Sequence, residues 1–349
     1  MRLVHIYWSL GLGGIETMLV NIVNEQVELL DEVYVVIIND KVESELLSKI
    51  NPKVKVKLLR RKESSFALLA VLKLNYFLAT HGFDLIHSHY SSIIKMIIPR
   101  FRKNACVTLH AMPYEKNTSG IKKYKKVFAI SESVRNSLYN YNGVKSTLVY
   151  NGINLSFFKK RDSYANTKKI LRIVTIGRLI ERKGQDLLVK AIGLLSEKDR
   201  KRIQVDFIGD GPSYEFLIKL INELKLSNVV RILGEKKQEF IASNLCNYDL
   251  FVCPSRREGF GLTVIEAMAA KVPVLVSDEF QGPIEIIGYG KYGFTFKNGD
   301  IEDCAMQISN IINDPYFDRN VDSVFQYAND HFNVKGTALN YVCEYKRLL

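Results

Sequence analysis

Residues 250–278 constrain the fold most strongly, because they read as one complete strand–loop–helix–strand unit. The apolar run Leu250–Cys253 predicts a short buried strand, and the polar, glycine-containing stretch Ser255–Phe260 predicts a loop. From Gly261 the apolar residues follow helical spacing, and Val272–Val276 predicts a second buried strand. In open α/β sheets ligands bind where strand ends meet helix starts, so this loop is a candidate binding site.

The same alternation of strands and helices runs through the rest of the chain and predicts an α/β fold with parallel sheets. One series begins with the strand at residues 2–8, and a second begins within residues 173–195. The 349 residues are enough for two domains, each with its own core. The polar, basic stretch Lys159–Lys169 lacks apolar periodicity, so we take it as the linker between domains at residues 1–158 and 170–331.

The cysteine content indicates a reducing compartment. Five cysteines are scattered along the chain without Cys-x-x-Cys spacing, which favours the cytoplasm and argues against a zinc site. No run approaches the roughly 18 apolar residues that a membrane-spanning helix needs. The amino-terminal segment lacks a small-residue cleavage site, so we expect no signal peptide.

The net charge of +12 is concentrated in clusters. Nucleic acid, an anionic membrane surface or a phosphorylated substrate would each fit this charge, and so would a solvated basic surface without a partner. The sequence has no paired Cys/His finger, aromatic RNA-binding signature or basic heptads, so we expect no nucleic acid partner. The clustered basic residues are Lys53, Lys55, Lys57, Arg60, Arg61 and Lys62, then Lys95, Arg100, Arg102 and Lys103, then Lys122, Lys123, Lys125 and Lys126.

Residues 92–103 combine isoleucines with basic side chains and allow two interpretations. The simpler one is a helix packed on the sheet. The alternative is an interfacial helix whose isoleucines enter the lipid headgroups while its basic residues bind phosphates.

Two glutamates in the opening segment are candidates for ligand binding. Glu258 lies in the predicted loop and Glu266 eight positions later in the predicted helix, about two turns apart at 3.6 residues per turn. Ionised carboxylates only accept hydrogen bonds, so the pair suits two sets of sugar hydroxyls. The backbone amides around the helix start would suit a phosphate; these belong to Gly259, Phe260, Gly261, Leu262 and Thr263. The plainer alternative is one solvated glutamate and one surface ion pair.

Two cations follow the first strand of the second series. Arg178 comes directly after that strand, and Lys183 precedes the next helix. Fixed cations at such a junction would stabilise the charge that develops on a departing diphosphate. Glycines follow the first strand of the chain in the same way, where Gly13 and Gly14 would let a ligand approach the backbone closely.

One histidine stands out by its position. The strand predicted within residues 105–113 ends at His110, and a loop follows. This position is well placed for a binding cleft. We expect structural roles for His5, His81 and His331. His87 and His89, at the end of another predicted strand, could have either a structural or a ligand-binding role.

The motifs together resemble those of the retaining GT-B glycosyltransferases of glycosyltransferase family four. In order they are Gly-Gly-x-Glu from Gly13, His110, Asn-Gly-Ile-Asn from Asn151, Gly-Arg-x5-Gly from Gly177, Gly-Asp-Gly-Pro from Gly209, and Glu-x7-Glu from Glu258. The resemblance implies two Rossmann-like domains facing each other across a cleft. It further implies a donor site mainly on the second domain and a final helix, about 332–349, that packs back on the first.

The resemblance also implies roles for individual residues. Arg178 and Lys183 would stabilise the departing diphosphate, Glu266 would hold the ribose hydroxyls, and Glu258 would hold the sugar hydroxyls. His110 would contact the sugar near the reacting carbon. Donor-binding positions would include Gly13, Gly14, Gly209, Gly234 and Glu235. We expect no metal and no cofactor beyond the nucleotide-sugar co-substrate, because Asp210 lacks Asp-x-Asp spacing.

The implied activity is retaining transfer of a hexose from a nucleotide sugar, with a UDP-sugar favoured over GDP-mannose. The basic first domain suggests a glycan or glycolipid acceptor, lipid-linked or belonging to a surface polysaccharide such as O-antigen, capsule or lipopolysaccharide. We therefore expect a cytoplasmic enzyme bound peripherally to an anionic inner membrane face.

Three alternatives stay open at this stage. A GT-B nucleotide-sugar epimerase has the same architecture. A nicotinamide dehydrogenase would need an acidic residue roughly 20 positions after its glycine loop, which Asp31 or Glu32 would supply, but the full glycine fingerprint is missing. A basic nucleic-acid- or membrane-binding protein without catalysis would explain the charge but not Glu258 and Glu266.

Overall fold

The computed structural model describes residues 1–11, 13–63, 65, 68–162, 170–278 and 282–349. It divides into two compact units. The first comprises residues 1–153 and 332–349, and the second comprises residues 154–331.

Thirteen strands are distributed over two sheets within the described residues. They are β1 (Arg2–Tyr7), β2 (Glu32–Asn39), β3 (Lys55–Arg61), β4 (Leu85–Ser88), β5 (Ala105–Leu109), β6 (Lys126–Ala129), β7 (Thr147–Leu148), β8 (Leu171–Ile176), β9 (Ile203–Ile208), β10 (Val230–Ile232), β11 (Leu250–Cys253), β12 (Val274–Ser277) and β13 (Phe294–Phe296).

The α-helices connect these strands and close the chain. They are α1 (Gly14–Gln26), α2 (Ser44–Ser48), α3 (Leu68–His81), α4 (Pro99–Arg102), α5 (Glu115–Thr118), α6 (Glu132–Asn142), α7 (Gln185–Leu194), α8 (Glu197–Arg200), α9 (Tyr214–Glu223), α10 (Gln238–Asn244), α11 (Leu262–Ala269), α12 (Gly282–Ile286), α13 (Ile301–Asn313), α14 (Val321–Phe332) and α15 (Val334–Lys346). Short 3-10 turns include Ser91–Lys95 and Glu181–Lys183.

The first unit is built on a seven-stranded parallel sheet in the order β3-β2-β1-β4-β5-β6-β7. Strands covered on both faces read as continuous apolar runs, and β2 is an example, with seven of its eight residues buried. The helix α15 contributes Tyr341 and Tyr345 to a core shared with Leu3 of β1 and Met18 of α1. The carboxyl end of the chain is therefore part of the first unit.

The second unit is built on a six-stranded parallel sheet in the order β10-β9-β8-β11-β12-β13. Its core includes Leu187 and Ile192 of α7, Phe207 of β9 and Ile308 of α13. The loops that follow β8, β9, β10 and β11 all leave the same edge of the sheet, because parallel strands present their carboxyl ends together.

The division between the two units falls between Ile153 and Asn154, five residues before the predicted boundary at residue 158. The start of the predicted linker is anchored to the second unit: the Lys159 amide donates to the Ala242 carbonyl (2.9 Å) and the Arg161 guanidinium donates to Asp249 (3.0 Å). The Arg161 side chain is nearly buried and pairs with the carboxylates of Asp249 and Asp318. Residues 163–169 of that linker lie outside the described residues.

The interpretation of residues 92–103 as an interfacial helix is wrong. The segment forms a 3-10 turn at Ser91–Lys95 and the short helix α4, which begins at Pro99. Ile93, Ile94 and Ile97 have no exposed surface, so these isoleucines belong to the core of the first unit. Within the described residues, no helix combines the length and apolar character needed to cross a bilayer.

Candidate active site

Close backbone contacts bring the loops at the carboxyl edge of the second sheet together. The Gly209 amide donates to the Gly234 carbonyl (2.9 Å), which joins the loops that follow β9 and β10. A Cβ at Gly209 would overlap the carbonyl oxygen of Gly177, the residue after β8, and Gly209 has a φ of +150°. Glycine is thus required at Gly209 on both steric and conformational grounds.

The cation and the carboxylate predicted from separate motifs meet at this edge. The Lys183 ammonium donates to the Glu258 carboxylate in an ion pair. The two side chains retain 19% and 16% of their surface, so the pair is shielded from solvent on most sides but accessible to a ligand. A Cβ at Gly177 would lie 3.7 Å from Lys183 Cε, which places the lysine chain alongside the end of β8.

The second predicted cation occupies the same loop. Arg178 is exposed and lies two residues after the end of β8. Its carbonyl accepts a hydrogen bond from Nε2 of Gln185 (3.1 Å), the first residue of α7. Arg178 and Lys183 therefore sit at the two ends of one short loop whose backbone is tied to the helix that follows.

The second predicted carboxylate, Glu266, is bonded to a residue of another helix. Glu266 is buried on α11, where its Oε1 accepts a hydrogen bond from Nε2 of Gln238 (2.8 Å). Burial raises the pKa of Glu266, and the hydrogen bond from Gln238 opposes that shift. Gln238 begins α10 directly after the loop that contains Gly234 and Glu235, so this bond connects α11 to that loop.

The turn from Glu258 into α11 follows the predicted pattern, with the helix beginning at Leu262. Gly261 caps the helix with a φ of +108°, a conformation that favours glycine. Phe260 is buried, and the Gly282 amide donates to the Glu258 carbonyl (3.3 Å), which fixes the turn against α12. Gly259 and Thr263 complete this turn and the first residues of the helix.

Sequence reasoning missed an ion pair that supports this site. Arg256, two residues before Glu258, binds the Asp186 carboxylate of α7 through two hydrogen bonds of 2.6 and 2.8 Å. The Arg256 amide also donates to the Arg182 carbonyl (2.9 Å). Arg256 thus ties the Glu258 loop to α7 through its side chain and to the Lys183 turn through its amide, and no local motif predicts these bonds.

The glycine loop of the first unit leads into α1 as predicted. Gly13 caps the helix and Gly14 is its first residue. The carboxylate of Glu16 folds back against Gly13, where a Cβ would overlap it. Burial raises the pKa of Glu16, while the nearby Lys41 ammonium opposes that shift.

His110 follows β5 and is hydrogen-bonded to another histidine rather than standing alone. Its Nε2 lies 2.9 Å from His89 Nδ1, and His89 Nε2 lies 2.9 Å from His5 Nδ1. Burial lowers the pKa of His110 to about 3 and that of His5 to about 4. His5, expected to be only structural, is therefore connected to the predicted active-site histidine.

Three of these histidines lie close enough to suggest a metal centre. Ring nitrogens of His5, His87 and His89 fall within 4.8 Å of one another. Each of the six nitrogens already faces a hydrogen-bond partner, since His87 bonds Tyr345 and Thr108 while the other two rings bond Gln26, His110 and each other. The donor set of these three residues does not fit a metal ion, which would have to displace those partners.

Two protein-family models match the chain side by side. The model described as "Glycosyltransferase Family 4" matches residues 12–157, and the one described as "Glycosyl transferases group 1" matches residues 156–327. The chain belongs to the group 1 glycosyltransferases. This confirms the predicted family membership and the prediction that the chain is a glycosyltransferase.

Relatives and solved structures of this group 1 glycosyltransferase agree with that assignment. It is 28% identical over 255 residues to an uncharacterized glycosyltransferase of Methanocaldococcus jannaschii, covering 67% of each chain. It is 29% identical over 212 residues to the N-acetyl-alpha-D-glucosaminyl L-malate synthase of Bacillus anthracis, covering 58% of this chain and 54% of the relative. The matched segments thus span between about half and two thirds of these relatives.

The fold of this group 1 glycosyltransferase matches a solved structure over the whole chain. The Anabaena protein HepE in complex with UDP-glucose superposes with a TM-score of 0.81 at 21% identity, covering 100% of both chains. The predicted α/β fold of the GT-B type, with two parallel sheets, is confirmed.

Proposed function

We propose that this glycosyltransferase moves a hexose from a nucleotide sugar to a lipid-linked or surface-polysaccharide acceptor with retention of configuration. The observation that carries the proposal is the Lys183–Glu258 ion pair at the carboxyl edge of the second sheet. A sugar diphosphate has phosphate oxygens that pair with a cation and sugar hydroxyls that donate to a carboxylate. The Lys183 ammonium and the Glu258 carboxylate match these two groups.

The cations supply stabilisation of the leaving group. As the bond between the sugar and the diphosphate breaks, negative charge accumulates on the phosphate oxygens, and Lys183 and Arg178 neutralise it. Retention follows from attack of the acceptor on the face that the diphosphate leaves, with a phosphate oxygen accepting the proton of the acceptor hydroxyl. The acceptor oxygen then bonds to the sugar carbon as the diphosphate departs with that proton.

The carboxylates orient the donor. Glu258 accepts hydrogen bonds from sugar hydroxyls, and Glu266 accepts them from the ribose. The bond from Gln238 holds Glu266 beside the loop that contains Gly234 and Glu235, which we assign to the nucleotide base. For the first unit, the resemblance to retaining GT-B enzymes supports ligand-binding roles for the backbone amides of Gly13 and Gly14 and for His110, whose ligand would be a sugar.

We favour a UDP-sugar as the donor over GDP-mannose. The similarity to HepE, whose structure contains UDP-glucose, supports this preference. A thermal-shift panel of UDP, GDP, ADP and their sugars tests it, because ligands that bind the folded state raise its stability with concentration. We expect UDP compounds to raise the melting temperature most. A larger shift with GDP compounds would transfer the assignment to GDP-mannose, and no shift with any of them would contradict the proposed function.

An exposed face of α3 supports the proposed membrane association. Leu69, Leu72 and Tyr76 are 70%, 59% and 73% exposed and lie on one helical stripe. Asn75 of the same helix bonds the Met96 carbonyl (2.7 Å) and the Ile98 amide (3.0 Å), which ties α3 to a segment with basic residues. Apolar side chains flanked by exposed cations fit an anionic lipid surface. The exposed basic residues of α3 and of this segment are Lys73, Lys95, Arg100 and Lys103.

The lysine cluster near β6 is the second part of this surface charge. Lys125 donates to the Leu348 carbonyl (2.5 Å) and Lys126 pairs with Glu344 (3.2 Å), so these two lysines are bound within the first unit. Lys122 and Lys123 are exposed, and we expect them to contribute attraction to anionic lipid.

Liposome flotation separates these contributions. The double variant Leu69→Gln/Leu72→Gln should bind vesicles that contain anionic lipid at least tenfold more weakly, and Lys122→Glu/Lys123→Glu should weaken binding mainly at low salt. The matched control is Leu339→Gln, an exposed leucine of α15. Unchanged flotation of both double variants, or wild-type binding that does not depend on anionic lipid, would contradict peripheral membrane association.

A further inference from the structure

A row of four side chains connects the amide of Gln26 to His110; Gln26, His5 and His89 are buried, and His110 is partly buried. Gln26 lies on α1, His5 on β1, His89 directly after β4, and His110 directly after β5. The bonds run from Gln26 Oε1 to His5 Nε2 (2.7 Å), from His5 Nδ1 to His89 Nε2 (2.9 Å), and from His89 Nδ1 to His110 Nε2 (2.9 Å). The planes of neighbouring rings are nearly parallel, with interplanar angles of 24° and 18°.

Every histidine of the row is neutral. Burial lowers the pKa of His5 to about 4 and of His110 to about 3, and it lowers the pKa of His89 well below its ordinary value. A neutral imidazole carries one N–H and one lone pair. Each ring can therefore donate to one neighbour only if it accepts from the other.

This constraint transmits the orientation of Gln26 along the row. The Gln26 amide oxygen accepts, so the proton of His5 is on Nε2 and its Nδ1 accepts from His89 Nε2–H. The His89 Nδ1 lone pair then accepts from His110 Nε2–H. His110 is left with a lone pair on Nδ1, an atom that is buried and has no hydrogen-bond partner in the described part of the chain.

Both ends of this row are unpaired, since Gln26 Nε2, like His110 Nδ1, is buried without a hydrogen-bond partner among the described residues. A buried polar network stabilises a fold when all its members are satisfied, and a buried unpaired acceptor is costly. The adjacent His87 meets that condition, because Tyr345 and Thr108 bond both of its nitrogens. The row from Gln26 instead ends on an acceptor at the carboxyl edge of the first sheet, where a ligand hydroxyl would satisfy it.

We propose that Gln26, His5 and His89 are positioning residues that hold the His110 proton on Nε2, so that Nδ1 accepts a hydrogen bond from a hydroxyl of the transferred sugar. This inference rests on the proposed function for the identity of the ligand. The proposal also predicts substrate specificity. A sugar that lacks this hydroxyl would leave His110 Nδ1 unpaired and would be a poorer substrate.

Histidine ¹⁵N NMR measures the tautomer directly, without substrate or activity. Long-range ¹H–¹⁵N correlation spectra of the full-length protein distinguish the two neutral tautomers, and His110→Gln identifies the His110 signals. We expect His110 to be protonated at Nε2 in the wild type. A wild-type His110 protonated at Nδ1 would overturn the proposal.

Two variants of one residue test the transmission. Gln26→Met removes the acceptor while keeping a similar volume, and we expect His110 to become a mixture of tautomers. Gln26→Glu keeps an oxygen acceptor toward His5 and has no N–H group that could donate in its place. We therefore expect Gln26→Glu to restore the wild-type tautomer of His110. The control Tyr341→Phe removes a buried hydroxyl that bonds Thr108 outside the row and should leave His110 unchanged. A Gln26→Met protein with the wild-type His110 tautomer would overturn the proposal.

Kinetics then connect the tautomer to the reaction. We expect Gln26→Met to lower kcat about tenfold, with Gln26→Glu recovering most of the loss. Equal kcat in the wild type and in a folded Gln26→Met protein with a mixed tautomer would overturn the role in catalysis. If the tautomers behave as expected but the wild type transfers no sugar, the proposed function fails while the row of hydrogen bonds stands.

Discussion

At the scale of single residues, the proposed ribose contact of Glu266 depends on its burial and on one hydrogen bond. Its carboxylate has one oxygen bonded to Gln238 (2.8 Å), which leaves acceptor capacity for a pair of ribose hydroxyls. Hydrogen bonds to a charged group contribute roughly 1.5–3 kcal/mol. The bond from Gln238 gives this carboxylate a polar partner in a helix whose other residues are mostly buried and apolar.

We predict that Glu266→Gln weakens UDP binding roughly tenfold to a hundredfold, because a neutral amide bonds the ribose less strongly. Calorimetry with UDP and 2′,3′-dideoxy-UDP measures the effect. The wild type should prefer UDP, and the variant should bind the two ligands nearly equally. Since burial raises the pKa of Glu266, UDP affinity should also decline as the pH falls through that raised pKa. An undiminished preference for UDP in the variant would disprove the ribose contact.

At the scale of elements, the local order of strand, loop and helix was predictable from the sequence. Apolar runs and glycines placed β11, the Glu258 loop and α11 correctly, because these features depend on neighbouring residues. The same reasoning failed for residues 92–103. Helical spacing there predicted one helix, but Pro99 starts a new one and the isoleucines fill the core.

Long-range partners could not be predicted from local patterns. The Arg256–Asp186 and Gln238–Glu266 contacts join residues 70 and 28 positions apart, and no spacing rule links them. The row of histidines could not be predicted for a related reason. The contacts between these histidines depend on β1, β4 and β5 lying side by side, which no single histidine indicates.

The Arg256–Asp186 contact yields a prediction at this scale. Arg256→Met should free the Glu258 loop from α7 and lower the free energy of unfolding by about 1 kcal/mol, a modest figure because the arginine is one third exposed. It should also weaken UDP-sugar binding, since Lys183 and Glu258 lose their fixed separation. Urea titration and calorimetry measure the two effects. The control is Arg135→Met, which removes an exposed ion pair with Glu132 on α6. Unchanged donor affinity in Arg256→Met would contradict the supporting role.

At the scale of the whole molecule, the two units differ in their response to acid. The first unit contains three buried histidines, His5, His87 and His89, and the partly buried His110, and desolvation lowers the pKa of all four. The unfolded chain binds protons at these residues below about pH 6.5, whereas the folded chain does not until the pH reaches their lowered pKa values. The stability of the first unit therefore falls as the pH is lowered from about 6.5 toward about 4.

Each of these histidines should contribute a slope of up to roughly 1.4 kcal/mol per pH unit to the free energy of unfolding. Trp8, the only tryptophan of the chain, lies in the first unit and reports its unfolding by fluorescence. Urea titrations at pH 7.5, 6.0 and 5.0 should show progressive destabilisation. His331→Asn, an exposed histidine of the second unit, should leave the slope unchanged. A stability that stays constant between pH 7.5 and 5.0 would show that these histidines are not buried and neutral.

The central claim is that the second unit holds a sugar diphosphate through Arg178 and Lys183 beside Glu258 and Glu266. The most direct measurement compares the affinities of UDP and uridine by calorimetry, in the wild type, in Arg178→Ala/Lys183→Ala and in Lys190→Ala. Lys190 is a matched control because it lies on α7 and faces Asp186.

We predict that the wild type and Lys190→Ala bind UDP at least about a hundredfold more tightly than uridine, as expected for two charge-assisted contacts of roughly 1.5–3 kcal/mol each. The double variant should lose most of that preference while its affinity for uridine stays the same. An undiminished preference for UDP in the double variant would contradict the account.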